Sequence, residues 1–290
     1  MVNAEDWWST YSKIGAGMAE HEEMKRGISA RFGAAAGNYV RSAVHARGDD
    51  LVRMVDLAEL RGDERVLDVA TGGGHTALAF APHVREVVAS DLTPDMLAAA
   101  GDLIQGRGVE NVSFELADAE DLPFADENFD VVTCRIAAHH FPDPKSFIRE
   151  VDRVLKPGGT FLLDDNVAPE APVLDEFMNR FEKWRDPGHV RAHRVSEWRA
   201  MMEETGLEVE HAEMEPKPYK DFGEWTDRIG MPEEERDALE RWLLAAPPEL
   251  KEYFRIVEEG GRVASLQSVF AILVARRLYG PMFDTDTTTG

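Results

Sequence analysis

The sequence has few of the features that mark secreted, membrane-spanning or nucleic-acid-binding proteins. Its 290 residues include one cysteine, Cys134, which excludes an internal disulfide framework and is typical of a reducing compartment. It has neither a run of about 18 apolar residues, as a membrane span needs, nor an N-terminal signal-peptide pattern. Basic residues are scarce: 32 Lys and Arg stand against 55 Asp and Glu, a formal net charge of −23. We therefore expect a cytoplasmic protein that binds neither nucleic acid nor membranes.

What the sequence does contain is a hydrophobic strand followed by a glycine-rich turn. Residues 66–76 read Val-Leu-Asp-Val-Ala-Thr-Gly-Gly-Gly-His-Thr, so Asp68 closes the apolar run and three glycines lead into a helix. Glycine has no Cβ, which lets the backbone approach a bound ligand closely. Open α/β folds bind ligands at the carboxyl edge of their sheet. The pattern therefore predicts a ligand-binding turn at such an edge.

The spacing of this turn, D-x-A-x-G-x-G, differs from the G-x-G-x-x-G of dinucleotide sites. A carboxylate at Asp68 would repel a pyrophosphate but suits a cationic ligand or a hydroxyl donor. The next strand, 86–90, ends at Asp91, where a ribose diol could donate hydrogen bonds, and the strand Val112–Leu116 leads to Asp118. Taken singly, Asp91 could instead cap a helix and Asp118 could be a turn residue. Their order along one series of alternating strands and helices favours a bound ligand that is a positively charged nucleoside without phosphate.

This order of motifs resembles the class I S-adenosylmethionine (SAM)-dependent methyltransferases, in particular the ubiquinone/menaquinone C-methyltransferase-like branch. The resemblance covers about residues 65–165 and includes the strand at 129–132 and the Leu-Lys-Pro-Gly-Gly turn at 155–159. It implies an α/β fold with a doubly wound, seven-stranded, mostly parallel sheet of the Rossmann-like methyltransferase type, whose last strand is antiparallel. Ala70 departs from the glycine that many members carry.

The resemblance implies SAM as the cofactor, held by residues of three turns. Asp68, Ala70 and Gly72 would lie against the methionine part of SAM. Asp91 would accept hydrogen bonds from the ribose, and Asp118 would meet the adenine. The full set of expected cofactor-binding residues is Tyr39, Asp68, Ala70, Gly72, Gly74, Asp91, Leu92, Met96, Asp118, Ala119 and Arg135.

Two adjacent histidines, His139 and His140, follow the fourth strand of this series and are the candidate catalytic residues. Histidine titrates near neutral pH, so either could take a proton from a hydroxyl, an amine or an acidic carbon of an acceptor. The alternative is that one histidine packs against the next helix and the other faces water. No Cys/His set has zinc spacing, so no metal is expected. Methyl transfer from a sulfonium also needs no enzyme nucleophile.

The chain divides into an N-terminal helical cap, 1–60, and a SAM-binding methyltransferase domain, 61–290. Closing strands are predicted at 207–214 and 268–277, and a helix at 196–205. Insertions at about 168–194 and 215–263 would form a helical lid over the acceptor.

Other candidates for contact with the acceptor are Ser42, His45, Asp165 and Asn166. The basic segment 185–194 could bind an acidic acceptor, or it could pair with neighbouring acids such as Glu176 and Glu182.

The sequence thus predicts a SAM-dependent methyltransferase acting on a small molecule, with methylation of oxygen or carbon favoured. The alternative is a SAM-binding sensor or regulator that transfers no methyl group. An NAD-dependent dehydrogenase is disfavoured by the glycine spacing. The sequence leaves open whether the protein forms a homodimer.

Overall fold

A computed structural model describes residues 18–41 and 48–279, apart from the side chains of residues 18, 19 and 34–41. Helices and strands alternate along this part of the chain. The α-helices are α1 (Met18–Arg41), α2 (Asp49–Leu57), α3 (His75–Phe80), α4 (Pro94–Gln105), α5 (Pro144–Val154), α6 (Pro172–Arg185), α7 (Val195–Thr205), α8 (Phe222–Asp227), α9 (Glu233–Leu244) and α10 (Pro248–Tyr253). The strands are β1 (Arg65–Val69), β2 (Glu86–Asp91), β3 (Val112–Leu116), β4 (Phe129–Arg135), β5 (Leu155–Asn166), β6 (Leu207–Tyr219), β7 (Val257–Glu259) and β8 (Arg262–Arg277).

Seven strands lie in the order β3-β2-β1-β4-β5-β8-β6, and the short β7 pairs with β8. Neighbours among β1 to β5 are parallel, whereas β8 runs antiparallel to both β5 and β6. This arrangement confirms the predicted doubly wound, mostly parallel sheet with an antiparallel last strand. The strand order reverses between β1 and β4, and such a switch point opens a crevice at the carboxyl ends of the strands.

An apolar core covers each face of the sheet. One contains Phe147 and Val151 of α5 and Trp198 of α7. The other contains Met54 of α2 and Phe80 of α3. Burying a side chain of this size contributes about 1.5–3 kcal/mol, so these two layers hold the central strands in register and fix the positions of the turns at their ends.

A third apolar cluster belongs to the lid, by which we mean α6, α8, α9, α10 and β7. Its aromatic rings pack on one another: Phe177 stacks on Trp242 at a centroid distance of 4.6 Å, and Phe181 meets the edge of Phe254 at 5.4 Å. The cluster continues onto β8 through Leu266. The lid is therefore a packed unit rather than a loose loop.

The closing strands are longer than the sequence predicts. β6 continues from 214 to Tyr219, and β8 begins at Arg262 rather than at 268. β6 lies at the edge of the sheet, where Pro216 and Pro218 are tolerated because an edge strand need not donate every hydrogen bond. Pairing with β8 extends a segment whose polar, proline-containing sequence resembles a loop. The described helices contain no stretch long and apolar enough to cross a membrane.

Candidate active site

The glycine-rich turn joins β1 to α3, and its backbone takes left-handed conformations. Ala70, Gly72 and Gly74 have φ of 52°, 54° and 80°. A Cβ added at Gly72 would meet nothing within 4 Å, so this glycine borders open space. A Cβ at Gly74 would lie 2.9 Å from the Cβ of Ala100 in α4, so this glycine allows close helix packing instead. The positive φ of Ala70 gives a reason for the glycine that many family members carry here, since a Cβ strains that conformation.

Asp68 lies beneath this turn and holds it. Its Oδ2 accepts hydrogen bonds from Thr71 Oγ1 at 2.6 Å and from the backbone N–H of Ala77 at 3.1 Å, and its Oδ1 accepts from Thr133 Oγ1 at 2.8 Å. Burial raises the pKa of Asp68 to about 6, although these three donors oppose the shift. Asp68 therefore supports the turn from behind, and the cleft is lined by its neighbours.

Asp91 ties the end of β2 to the same turn. Its Oδ2 accepts from the Gly72 N–H and its Oδ1 from the Thr93 N–H, both at 2.9 Å. Burial raises the pKa of Asp91, with those backbone donors opposing the shift. The Thr93 side chain and the Leu92 N–H also donate to this carboxylate. The carboxylate thus joins the two loops at the switch point, on the wall of the cleft.

One cleft at the carboxyl edge of the sheet brings most of the expected residues together. The expected residues that line it are Ala70, Gly72, Asp91, Leu92, Met96, Asp118, Ala119, Arg135 and His140. Asp68 and Gly74 lie behind the turn. The side chain of Tyr39, together with Ser42 and His45, falls outside the described residues.

Helix α1 forms a wall of this cleft through Lys25, Ile28 and Phe32. The Lys25 amine lies 2.6 Å from Asp118 Oδ2 and 2.7 Å from Glu120 Oε2. Burial lowers the pKa of Lys25, but the hydrogen bonds to these two carboxylates outweigh it and the pKa rises. This contact could not be predicted from the sequence, because Lys25 stands in a polar stretch and its partners are far along the chain.

Arg135 ends β4 between two carboxylates. Its Nε donates to Asp50 Oδ2 of α2 at 2.8 Å and lies 3.4 Å from Asp164 Oδ2 of β5. The side chain is 4% exposed. Burial, reinforced by the neighbouring Asp50, raises the pKa of Asp164 well above its usual range. Arg135 therefore joins the N-terminal cap to the rim of the cleft.

His140 is the cleft-lining member of the histidine pair. Its Nδ1 lies 2.9 Å from the carbonyl oxygen of Gly188, which can only accept, so Nδ1 carries the proton and Nε2 keeps a lone pair. Burial and the neighbouring charge of His139 lower the pKa of His140 to about 4. The imidazole is therefore neutral at physiological pH, with Nε2 unprotonated.

His139 lies behind His140, with its ring centroid 4.0 Å away. Its Nδ1 is 2.6 Å from Asp165 Oδ1, and its backbone N–H donates to Asp165 Oδ2 at 2.8 Å. Burial lowers the pKa of His139, but the charge of Asp165 and this hydrogen bond raise it overall. Both histidines are buried, so the alternative in which one faces water does not hold.

The remaining candidates, Asn166 and the basic segment 185–194, do not line this cleft. Asn166 is buried, and its Oδ1 has no hydrogen-bond partner among the described residues. In the basic segment, Arg191 and Arg194 pair with Asp175 and Glu197. These two arginines are thus occupied by nearby acids, and the charge of Arg185 acts on Glu182, one of the acids named from the sequence.

Comparison with known proteins decides the family. A family model described as a methyltransferase domain matches residues 67–163. The uncharacterized methyltransferase YcgJ of Bacillus subtilis is 44% identical over 218 residues, which cover 75% of this chain and 86% of YcgJ. The chain belongs to the class I SAM-dependent methyltransferases.

This methyltransferase is also 40% identical over 131 residues to the ubiquinone/menaquinone biosynthesis C-methyltransferase UbiE of Ectopseudomonas mendocina, covering 44% of this chain and 51% of UbiE. A solved structure from Bacillus halodurans C-125 shares 47% identity and has a TM-score of 0.78, covering 80% of this chain and all of the other. The family and the fold expected from the sequence are confirmed.

Proposed function

We propose that this methyltransferase binds SAM in the described cleft and methylates a small-molecule acceptor at an oxygen or carbon that loses a proton. The observation that carries the proposal is His140, a neutral imidazole on the cleft wall whose proton is fixed on Nδ1. The likeness to UbiE, named as a C-methyltransferase, supports methylation of an acidic carbon.

The residues of the cleft fit SAM. Gly72 leaves room beside the backbone, as a methionyl chain needs, and Asp91 places a carboxylate on the cleft wall, where a ribose diol could donate to it. Asp118 and Ala119 lie on the same cleft for the adenine. When bound, SAM supplies an electrophilic methyl group on a sulfonium, and carboxylates favour such a cation.

The other wall suits an uncharged, mainly apolar acceptor. Phe32, Ile136 and Phe141 line the cleft beside His140, and apolar walls exclude water and align the reacting atoms. Nε2 of His140 makes no hydrogen bond within the described part of the chain. An acceptor hydroxyl or acidic C–H would give its proton to Nε2 while the same oxygen or carbon receives the methyl group. Phenols and hydroquinones combine these properties.

The test measures binding and turnover separately. Calorimetry should show SAM binding, with S-adenosylhomocysteine competing, and a panel of phenols, quinols and amines should be scanned for release of S-adenosylhomocysteine. His140→Ala should lower kcat about 10²- to 10⁴-fold, the usual contribution of a general base, and leave the Kd of SAM unchanged. His83→Ala, which removes an exposed histidine, is the matched control.

The pH profile gives a second check on the base. Since the neutral imidazole is the active form and its pKa is about 4, kcat should hold down to about pH 5 and fall as the pH drops through 4. Absence of SAM binding would refute the proposal as a whole. Binding without turnover of any acceptor would favour the sensor. Wild-type turnover in His140→Ala would show that His140 is not the base.

A further inference from the structure

The segment 186–191, which we call the lid loop, forms hydrogen bonds with both histidines. The backbone N–H groups of Val190 and Arg191 donate to the His139 carbonyl at 2.9 and 3.0 Å. The Gly188 carbonyl accepts the Nδ1 proton of His140 at 2.9 Å. The tautomer of His140 is thus set by the insertion after β5 and not by the motifs around β1 to β4.

Asp186 gives the lid loop its shape. Its Oδ1 accepts from the Gly188 N–H at 2.8 Å, and its carbonyl accepts from the His189 N–H at 2.9 Å. Its own N–H donates to Glu182 at the end of α6, at 2.8 Å. An aspartate that binds the backbone two residues ahead is a standard turn former. Asp186 is 6% exposed, so water does not compete freely for these bonds.

The turn and the imidazole are packed together. A Cβ added at Gly188 would lie 3.1 Å from Asp186 Oδ1 and 3.7 Å from His140 Nδ1. The Gly188 carbonyl therefore has little freedom to turn away from His140 while Asp186 holds the Gly188 amide.

We propose that Asp186 is a positioning residue for methyl transfer: by holding the Gly188 amide, it aims the Gly188 carbonyl at Nδ1 of His140 and so keeps Nε2 available as the base. The inference rests on the proposed role of His140. It assigns a catalytic purpose to the lid loop, because the loop selects the tautomer of the proposed base.

Several charged or titratable groups act on His140 from the surrounding elements. Asp165 lies on β5, His139 precedes it in the chain, and His189 and Asp186 belong to the lid loop. From α1 comes the ring of Phe32, edge-on at 4.9 Å. Burial and His139 lower the pKa of His140, whereas Asp186 and the Gly188 carbonyl raise it. Loss of the Asp186 charge should therefore move the acid limb of kcat to still lower pH.

Two variants separate the charge from the turn. Asp186→Asn keeps an oxygen for the Gly188 amide, so kcat at neutral pH should stay within about threefold of wild type while the acid limb moves to lower pH. Asp186→Ala removes the charge and the oxygen that accepts from the Gly188 amide. We therefore expect kcat to fall at least tenfold at all pH values, with the Kd of SAM unchanged. Nitrogen NMR of the His140 ring should show Nδ1–H in the wild type and a mixture of tautomers in Asp186→Ala.

Asp221→Ala is the matched control, since Asp221 Oδ1 accepts the Glu224 N–H at 2.7 Å in another lid turn. It should leave kcat, the acid limb and the tautomer unchanged. The inference fails if Asp186→Ala keeps wild-type kcat and tautomer. If Asp186→Ala does not fold, a wild-type His140 ring whose nitrogen spectrum shows no fixed proton on Nδ1 refutes it. Wild-type turnover in His140→Ala would instead refute the proposed role of His140. That result can be told apart from a failure of the Asp186 inference, which concerns the Asp186 variants and the tautomer.

Discussion

Asp68 shows how a single carboxylate can serve a binding turn without entering the cleft. Three donors converge on it, from Thr71, Thr133 and Ala77. Because it is buried, its charge is disfavoured relative to the unfolded chain, and its pKa rises from 3.8 to about 6. The turn is therefore held by a group whose ionisation weakens the folded state.

This shift makes a prediction about stability. The folded chain holds the Asp68 proton more tightly than the unfolded chain does, so the free energy of unfolding should fall as the pH rises from 3.8 to about 6. The slope should be about 1.4 kcal/mol per pH unit at most. Asp68→Asn should lack this component, because an amide does not ionise. Urea unfolding of both proteins between pH 4 and 7 measures the difference.

The amide can keep most of the contacts, which makes Asp68→Asn a fair comparison. Its oxygen can accept from Thr71 and Ala77, and its NH₂ can donate to the Thr133 hydroxyl, which has the Leu67 carbonyl at 3.5 Å as a second partner. If both proteins show the same dependence on pH, Asp68 ionises as readily folded as unfolded and the argument from burial is wrong.

Among the elements, α1 is the helix whose position could not be predicted from its own sequence. It packs against α4, and Lys25 places its amine between Asp118 and Glu120. The lysine is 13% exposed, so this ion pair is shielded more than a surface pair. We infer that it fixes the helix over the end of the cleft that Asp118 and Glu120 line.

Lys25→Ala should therefore loosen α1. Without ligand, hydrogen exchange of the α1 amides should accelerate about fivefold, the equivalent of about 1 kcal/mol, the upper value for exposed ion pairs. The amides of β1 and β4 should be unaffected. Lys145→Ala is the control, because Lys145 pairs with Glu204 at 2.9 Å on an exposed surface. Unchanged α1 exchange in Lys25→Ala would show that the pair does not hold the helix.

The elements also show how far the sequence could predict the fold. The strand Val112–Leu116 is found with the predicted bounds, and the helix predicted at 196–205 is α7, Val195–Thr205. These segments carry their own periodicity and end signals. The outer parts of β6 and β8 were not predicted, because each takes its extended form from pairing with the other.

In the site, too, some features follow from the local sequence and others depend on residues far along the chain. Asp91 and Asp118 could be placed on one cleft from chain order alone, since parallel strands bring their carboxyl ends to one edge. The choice between His139 and His140 depends on Gly188, 48 residues further along the chain. The contact of Lys25 with Asp118 spans 93 residues. No local pattern encodes such contacts.

At the scale of the whole molecule, the acidic excess is the dominant property. With a formal charge of −23, mutual repulsion among carboxylates works against the compact state. Salt screens such repulsion beyond about 8 Å at physiological ionic strength.

Stability should consequently rise with salt. Between 0.02 and 0.5 M NaCl we expect a gain of about 1 kcal/mol, or about 2–4 °C in Tm for a domain of roughly this size. Thermal unfolding followed by circular dichroism at a series of NaCl concentrations gives the value. A Tm that falls with NaCl would mean that local pairs, such as Arg153 with Glu150 at 2.7 Å, outweigh the global repulsion.

The lid cluster has a consequence for how such a chain can diversify. Phe177, Trp242 and Phe254 pack among themselves and join the sheet chiefly through β8. A substitution that reshapes this module leaves the two layers around the central strands intact. The sequence of this module can therefore diverge between related chains while the sheet and the cleft keep their form, provided that its packing on β8 and the contact of the lid loop with the histidines are kept.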